Sequence, residues 1–265
     1  KAAETLLPAG ETIAYDQMSI RDYKAPELKL ENKQSSNIAV VVPSFHDNDR
    51  NYLIVSGEDF TLEFNKHNGY LCRYDVSGMQ LMEDGSALTP NFWRAPTDND
   101  RGNGMPQRYA QWKIASLYAS VKGTPQLARK NAHPVPRENG DGSVSIDYTY
   151  ALATVPAAQC SLRYTVYPCG TVRVALSYDP VSGLGDMPEF GVMMKLDADY
   201  HRVRYYGLGP EENYSDRCRG ARLGIFETTA QDNLARYLVP QECGARTGVR
   251  WAEVMDDRGR GLRFQ

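Results

Sequence analysis

Apolar and polar residues alternate with a period of two along much of this chain of 265 residues. The pattern is clearest in residues 60–64, 144–148 and 172–176, which are rich in β-branched and aromatic side chains. Successive side chains of a strand point to opposite faces, so this period suits strands with one buried face and does not suit helices. The chain is therefore predicted to fold mainly into β-strands.

Turn-forming dipeptides separate these segments: Asn68-Gly69 follows the first, and Asn139-Gly140 and Asp141-Gly142 precede the second. Such pairs accept the positive φ angles of tight hairpin turns. Short strands at close spacing favour an all-β fold built from stacked sheets. Very little helix is expected, and residues 107–120 are the best helical candidate.

The charge balance and the apolar runs of the chain limit which partners it can bind. The net charge is -3, from 30 basic and 33 acidic residues, and this balance provides no cationic surface for nucleic acid or anionic lipid. No apolar run approaches the roughly 20 residues of a membrane-spanning helix. We therefore expect neither nucleic acid nor a membrane as a partner.

The five cysteines are odd in number and form no CxxC pair, so they are expected to be mostly free, buried thiols. Free thiols suit a reducing compartment. A signal peptide on a longer precursor would leave the same sequence, so the cytoplasm and the periplasm both remain open.

Composition shifts divide the chain into three parts. Residues 1–23 contain one or two predicted strands, residues 24–51 form a polar, turn-rich linker, and residues 52–265 form the main domain. The chain starts at Lys1 without a Met, and its last residues alternate like the start of a strand. We expect it to be excised from a longer protein, with the main domain truncated at its C-terminus.

The densest polar cluster lies in residues 91–102, where Asp98, Asn99 and Asp100 stand between Arg94 and Arg101. Carboxylates at this spacing can bind a cation or sugar hydroxyls. Alternatively, these side chains cap their own backbone and pair with the two arginines. The residue types alone favour the second interpretation.

A second cluster, in residues 205–217, contains the adjacent carboxylates Glu211 and Glu212. Glycosidases use paired carboxylates, but adjacent side chains of an extended segment point to opposite faces. A structural role is the favoured interpretation. None of the four histidines lies in a recognisable hydrolase or metalloprotease motif.

Together the two clusters resemble the bacterial lacZ-type β-galactosidases of glycoside hydrolase family two. Residues 94–102 match the pattern R-A-P-x-D-N-D-x-G, and residues 207–217 match G-L-G-P-x-E-N-Y-x-D-R. Residues 239–244 also resemble the family. The resemblance covers residues 52–265 as the C-terminal, small-chain domain, and residues 1–23 look like the end of the preceding immunoglobulin-like domain.

The resemblance implies a β-supersandwich of the galactose mutarotase-like type, preceded by a short segment of another β-sandwich. It also implies packing against a catalytic TIM barrel elsewhere in a homo-oligomeric parent that hydrolyses terminal β-galactosides. Both catalytic glutamates and the Mg and Na ions of the family belong to that barrel, so no catalytic residue, metal or cofactor is expected here. The family's pocket tryptophan lies beyond residue 265, and its role does not transfer to Trp93, Trp112 or Trp251.

The resemblance assigns this chain a role at the substrate-site rim or at the domain interface. The residues carrying that prediction are Arg94, Asp98, Asn99, Asp100, Glu212, Asn213, Asp216 and Arg217.

Two alternatives differ in class: a mutarotase-like or epimerase-like enzyme, and a freestanding carbohydrate-binding module. The first needs an acid/base pair, such as a histidine with a glutamate in a pocket, and the sequence does not indicate one. The natural galactoside and the oligomeric state are left open.

Overall fold

The computed structural model describes residues 7–26, 37–41, 51–122 and 136–265. These residues form two compact units, one comprising the described residues between 37 and 200 and the other combining residues 7–26 with His201–Gln265. Both units consist mainly of antiparallel strands, which confirms the predicted all-β fold class.

The first unit begins with a five-stranded antiparallel sheet whose strands follow one another in chain order. Its strands are β1 (Ala39–Val41), β2 (Tyr52–Ser56), β3 (Phe60–Asn65), β4 (Leu71–Val76) and β5 (Met79–Gln80). The predicted turn at Asn68-Gly69 joins β3 to β4, and Gly69 has a φ of 71°, which glycine adopts readily because it has no Cβ.

A second sheet in this unit has the order β11-β10-β9-β7, with β8 also paired to β9, and β6 pairs separately with β12. The remaining strands of the unit are β6 (Thr89–Asn91), β7 (Ser120–Val121), β8 (Arg137–Glu138), β9 (Val144–Leu152), β10 (Ala158–Val166), β11 (Val172–Tyr178) and β12 (Gly191–Met193). The three segments with the clearest alternation thus become β3, β9 and β11, as predicted.

The core of this unit lies between the two large sheets. Alternate residues of β2 and β3 are buried with alternate residues of β9 and β10 in one cluster. Aromatic rings pack against one another across this core. Phe64 meets Tyr164 edge-on with 4.9 Å between ring centroids, and Tyr70 stacks on Tyr150 with 5.2 Å between centroids. Each fully buried large apolar side chain contributes about 1.5–3 kcal/mol, so this layer stabilises the sandwich.

Three short helices connect β6 to β7: α1 (Asp98–Gly102), α2 (Met105–Arg108) and α3 (Ala110–Leu117). The helix predicted within residues 107–120 is confirmed by α3 and the end of α2. Trp112 and Ala115 of α3 are buried in the core. The prediction missed α1, because an Asx-rich segment bounded by Pro and Gly has the composition of a loop.

The second unit contains a four-stranded antiparallel sheet of order β14-β13-β15-β16. Its strands are β13 (Arg202–Gly209), β14 (Arg222–Thr229), β15 (Trp251–Met255) and β16 (Gly261–Phe264), and a 3₁₀ turn spans Ser215–Arg217. β16 confirms the strand pattern seen at the end of the sequence.

Residues 7–26 lie in this second unit as extended chain. The strands predicted within residues 1–23 are absent from the described residues 7–26, where Glu11 forms an isolated β-bridge and the Gln17 side chain bonds to the backbone of β14. Of the predicted linker, residues 27–36 and 42–50 lie outside the described residues, and β1 pairs with β2.

Candidate functional site

The predicted Arg94–Asp100 cluster is built around the start of α1. Thr97 is the residue that caps this helix: its hydroxyl accepts a hydrogen bond from the Asp100 backbone N–H at 3.2 Å, and Asp100 Oδ2 accepts one from the Thr97 N–H at 2.8 Å. This reciprocal capping box satisfies backbone donors that the first turn of a helix leaves free. The T-x-x-D spacing explains why this polar segment is helical.

The Asp100 carboxylate also receives the guanidinium of Arg94. Arg94 Nη2 donates to Asp100 Oδ1 at 3.0 Å, and Nη1 donates to Oδ2. Burial by itself raises the pKa of Asp100, but the bonds from Arg94 and Thr97 outweigh it and hold the pKa below its ordinary value. Asp100 is therefore an ionised carboxylate whose two oxygens are both occupied.

Other members of this cluster lie closer to solvent. Asp98 pairs with Arg101 at 3.1 Å, and both side chains are largely exposed. Arg94 also donates from Nε to the Pro188 carbonyl at 3.2 Å, which ties the cluster to the segment before β12. The structure thus matches the interpretation in which these side chains cap their own backbone and pair with arginines.

In the second cluster, Glu212 is the anchored carboxylate, with only 8% of its side chain exposed. Its Oε1 accepts a bond from Arg217 Nη1 at 2.6 Å, and its Oε2 accepts one from the Gly244 N–H at 2.8 Å. Arg217 in turn lies over the rings of Tyr214 and Tyr237, at 5.8 and 5.3 Å from their centroids.

Asn213 is fully buried, and both polar groups of its side chain are hydrogen-bonded. Its Nδ2 donates to the carbonyls of Leu208 and Glu211 at 2.8 and 3.1 Å, and its Oδ1 accepts bonds from the N–H and hydroxyl of Thr247. The backbone N–H of Asn213 donates to Ala245. Asn213 therefore holds residues 245–247 against the end of β13 and has no side-chain group left for a ligand.

The structure brings Arg94 together with Asp100, and Glu212 together with Arg217. The first pair belongs to the unit of residues 37–200 and the second to the unit that contains residues 201–265. Asp216 is exposed and accepts a long bond of 3.4 Å from the Ser215 hydroxyl.

Comparison with known proteins now identifies the family. Residues 56–265 match the family described as the β-galactosidase small chain. The chain belongs to that family.

Two curated relatives are named β-galactosidase. The small chain is 38% identical over 211 residues to a β-galactosidase of Halalkalibacterium halodurans, covering 78% of this chain and 20% of that protein. It is 33% identical over 257 residues to a β-galactosidase of Priestia megaterium, covering 96% of this chain and 22% of that one. The small chain thus spans about a fifth of the length of these relatives.

One relative is named as a small subunit. The β-galactosidase small subunit of Latilactobacillus sakei is 33% identical over 209 residues, which cover 76% of this chain and 64% of that subunit.

Sequence reasoning missed several residues that position the two motifs of the small chain. Thr97 was recoverable, because T-x-x-D is a local capping pattern. Gly244, Thr247 and Tyr237 were not, because they lie 20 or more residues from the side chains they meet, and only the pairing of the strands brings them close.

The described part of the small chain offers no group of three or more His, Cys, Asp or Glu side chains that could hold a metal ion. None of its described helices has the length and apolar character needed to cross a bilayer. The Trp251 ring is contacted by the guanidinium groups of Arg204 and Arg263, whose Cζ atoms lie 5.8 and 4.6 Å from its centroid.

All five cysteines are free, as expected, but burial was overestimated, because only Cys160 is buried and Cys169 is exposed. Burial raises the pKa of the Cys160 thiol to about 11, so it stays protonated at neutral pH.

Proposed function

We propose that this chain is the C-terminal domain of a lacZ-type β-galactosidase of glycoside hydrolase family two, which hydrolyses terminal non-reducing β-D-galactose residues with retention. Two glutamates on a TIM barrel outside this chain supply the acid/base and nucleophilic chemistry. The small-chain domain completes the active-site rim and packs against the barrel. The observation that carries the proposal is the family match over residues 56–265, together with the one-fifth share of the related β-galactosidases.

The geometry of the Asp100 and Glu212 carboxylates supports a catalytic site outside this chain. A retaining glycosidase needs two carboxyl groups about 5–5.5 Å apart, one with a proton to donate and one free to attack. Both oxygens of Asp100 and both oxygens of Glu212 accept internal hydrogen bonds. These groups serve the scaffold, and catalysis belongs to another part of the enzyme.

An apolar stripe on α3 supports a large protein partner. Ile114 and Leu117 are spaced i, i+3 and share one face of α3, and Tyr118 is the residue at which the helix ends. Their exposed fractions are 44%, 64% and 67%. Exposed apolar groups that share a face mark interaction surfaces. The name of the Latilactobacillus sakei relative, a small subunit, agrees with a larger catalytic partner.

The Mg and Na ions of the family are assigned to the barrel in this proposal. Within this chain, the Asp98–Asp100 segment does not fit a cation, because Asp100 has no open oxygen and Asp98 pairs with Arg101. The domain division into residues 1–23, 24–51 and 52–265, with an immunoglobulin-like tail first, stays a prediction, as does a homo-oligomeric parent.

The test uses the full-length enzyme and the 265-residue chain side by side. We expect the full-length enzyme to hydrolyse a β-galactoside and to release β-galactose first, as proton NMR of the anomers will show. The chain alone is expected to neither hydrolyse the galactoside nor speed galactose mutarotation. In the full-length enzyme, Asp98→Ala is expected to lower kcat/KM about tenfold or to change the oligomer size, because Asp98 is an exposed group of the proposed rim.

Ser161→Ala is the control, since Ser161 is an exposed residue of β10 outside both motifs. Hydrolysis or mutarotation by the isolated chain would favour the enzyme alternative. Galactoside binding by both proteins with hydrolysis by neither would favour the freestanding binding module. Unchanged kinetics and oligomer size in Asp98→Ala would remove the rim role.

A further inference from the structure

We propose that the outer face of the β1–β5 sheet carries a binding site for a neutral pyranoside sugar. We call this site the outer groove and define it by Tyr52, Glu63, Asn65, Asn68, Arg73 and Asp84. This inference goes beyond the proposed function, because it concerns a binding site on this chain and requires no hydrolysis.

The groove follows from the strand register. Tyr52 of β2 lies opposite Asn65 of β3, and Glu63 of β3 lies opposite Arg73 of β4, all on the face turned away from the core. The register shifts between Glu63 and Phe64, which leaves Cys72 as an extra residue on β4. Bulges of this kind twist a sheet and re-aim side chains, and they recur beside functional sites.

Residues 84–87 form one wall of the groove, which is open to solvent and has a volume of about 290 Å³. This volume lies just below the range for ligand pockets, which begins at about 300 Å³. It suits a single sugar unit or another small polar molecule. The groove lies within one compact unit, in which the Lys195 carbonyl holds the wall in place by accepting bonds from the Glu83 N–H at 3.1 Å and the Ser86 hydroxyl at 3.3 Å.

The two asparagines present open donors. Asn65 Oδ1 accepts a hydrogen bond from the His67 N–H at 2.8 Å, and Asn68 Oδ1 accepts one from the Tyr70 N–H at 3.0 Å. Because only the amide oxygen can accept from a backbone N–H, these bonds fix which way each amide points. The Nδ2 groups of both side chains are left as donors.

The groove lining also contains hydrogen-bond acceptors. Asp84 Oδ1 accepts a bond from Gln80 Nε2 at 2.6 Å, so Oδ2 remains open. The Glu63 carboxylate is 4.0 Å from Arg73 Nε, which donates instead to Asp75 at 2.7 Å. A hydroxyl group both donates and accepts, so a ring bearing several hydroxyls matches a lining that mixes open amide donors with open carboxylate acceptors.

The net charge of the groove lining disfavours ionic ligands. Two carboxylates and one guanidinium leave it slightly negative, which opposes phosphate, and the described residues contain no cluster able to hold a metal ion. Burial raises the pKa of Cys72 to about 11, so its thiol adds no charge and donates to the Glu63 carbonyl. The partly exposed Tyr52 ring offers the apolar surface on which a pyranose C–H face packs.

The test is an NMR titration of the 265-residue chain with methyl β-D-galactopyranoside and methyl β-D-glucopyranoside. Inorganic phosphate and calcium chloride serve as ionic probes. A ligand of about a dozen non-hydrogen atoms in an open polar groove is expected to bind with a dissociation constant of about 1 mM. The side-chain NH₂ signals of Asn65 and Asn68 are expected to shift with saturation.

Two variants keep the internal bonds and change only the open group. Asn65→Asp retains the acceptor for His67 but replaces the donor, and Asp84→Asn retains the acceptor for Gln80 but replaces the open oxygen. Each is expected to weaken sugar binding about fivefold. The control is Asn103→Asp, which adds the same charge outside the groove and keeps the bonds of Asn103 Oδ1 to Met105 and Arg108.

Thermal unfolding of each variant verifies that it folds. If a variant does not fold, the chemical-shift changes of the two NH₂ groups in the wild-type chain still test the proposal. Several outcomes overturn the proposal: no saturable shift with either pyranoside up to about 20 mM, affinity in both variants equal to that of the wild type, or stronger binding of phosphate or calcium. Hydrolysis by the full-length enzyme is a separate measurement, so the proposed function can fail while pyranoside binding persists.

Discussion

Asp100 shows how a residue that resembles a ligand becomes part of the scaffold. Its carboxylate closes the capping box of α1 and receives both terminal nitrogens of Arg94. Only 12% of its side chain is exposed, so little water competes for these bonds. Asp98, two residues away, makes a pair of similar chemistry at the surface, where screening reduces its contribution.

Asp100→Asn is therefore expected to lower the free energy of unfolding of the chain by about 2 kcal/mol at pH 7, because Arg94 loses its charged partner. The pKa of Asp100 is lowered in the folded state, so its contribution is complete above the unfolded pKa and is lost as pH falls through the folded pKa. Urea unfolding at pH 7 and below pH 3.8 measures the difference.

The control is Asp98→Asn, which is expected to change the free energy of unfolding by less than about 1 kcal/mol. Equal losses in both variants, or a loss in Asp100→Asn that persists undiminished at low pH, would show that the Arg94–Asp100 pair does not act as described.

At the scale of elements, the edge of β14 is protected by a side chain. Gln17 Nε2 donates to the Leu223 carbonyl at 3.1 Å, and the Leu223 N–H donates to Gln17 Oε1 at 2.6 Å. Tyr15 donates to the Gly220 carbonyl beside it. An unpaired strand edge invites pairing with other chains. The glutamine amide occupies a backbone donor and acceptor that a neighbouring strand would otherwise use.

Gln17→Ala is expected to speed hydrogen exchange at the Leu223 amide about tenfold, because that N–H loses its acceptor. Exchange measured by NMR or by mass spectrometry of a peptide containing Leu223 tests this. Ser19→Ala is the matched control in the same segment, since the Ser19 hydroxyl bonds only to the Arg21 carbonyl. Unchanged exchange in Gln17→Ala would mean that the contact does not persist in solution.

At the scale of the whole molecule, the two compact units contain very different amounts of hydrophobic core. Every residue of the main apolar cluster lies between residues 38 and 194. In the sheet β13–β16, Tyr205 is the buried apolar residue among those described. Because apolar burial dominates stability, the two compact units are expected to differ in their free energy of unfolding.

The isolated chain is accordingly expected to unfold in urea in more than one step. In Trp251→Phe, fluorescence reports only Trp93 and Trp112, which belong to the unit of residues 37–200, whereas circular dichroism reports all strands. The circular dichroism transition is expected to begin at lower urea. Coincident transitions would show that the units unfold together.

Local patterns in the sequence predicted the all-β class, the strands β3, β9 and β11, the turn at Asn68-Gly69 and the helix within residues 107–120. They could do so because periodicity and turn preference depend on neighbouring residues. The same reasoning placed strands within residues 1–23. That was wrong for residues 7–26, because alternation alone does not provide a partner strand.

The sequence also showed the two motifs and, through them, the family. It did not show which groups each side chain of the motifs contacts. Glu212 meets Gly244 and Asn213 meets Thr247 across more than 30 residues, and the outer groove gathers side chains from β2, β3, β4 and the turns beside them. Strand register decides these contacts, and register depends on which faces the folded sheets bury. The sequence by itself therefore determined the elements and the motifs, while only the tertiary structure decided which polar groups are bonded to one another and which are left open to a ligand.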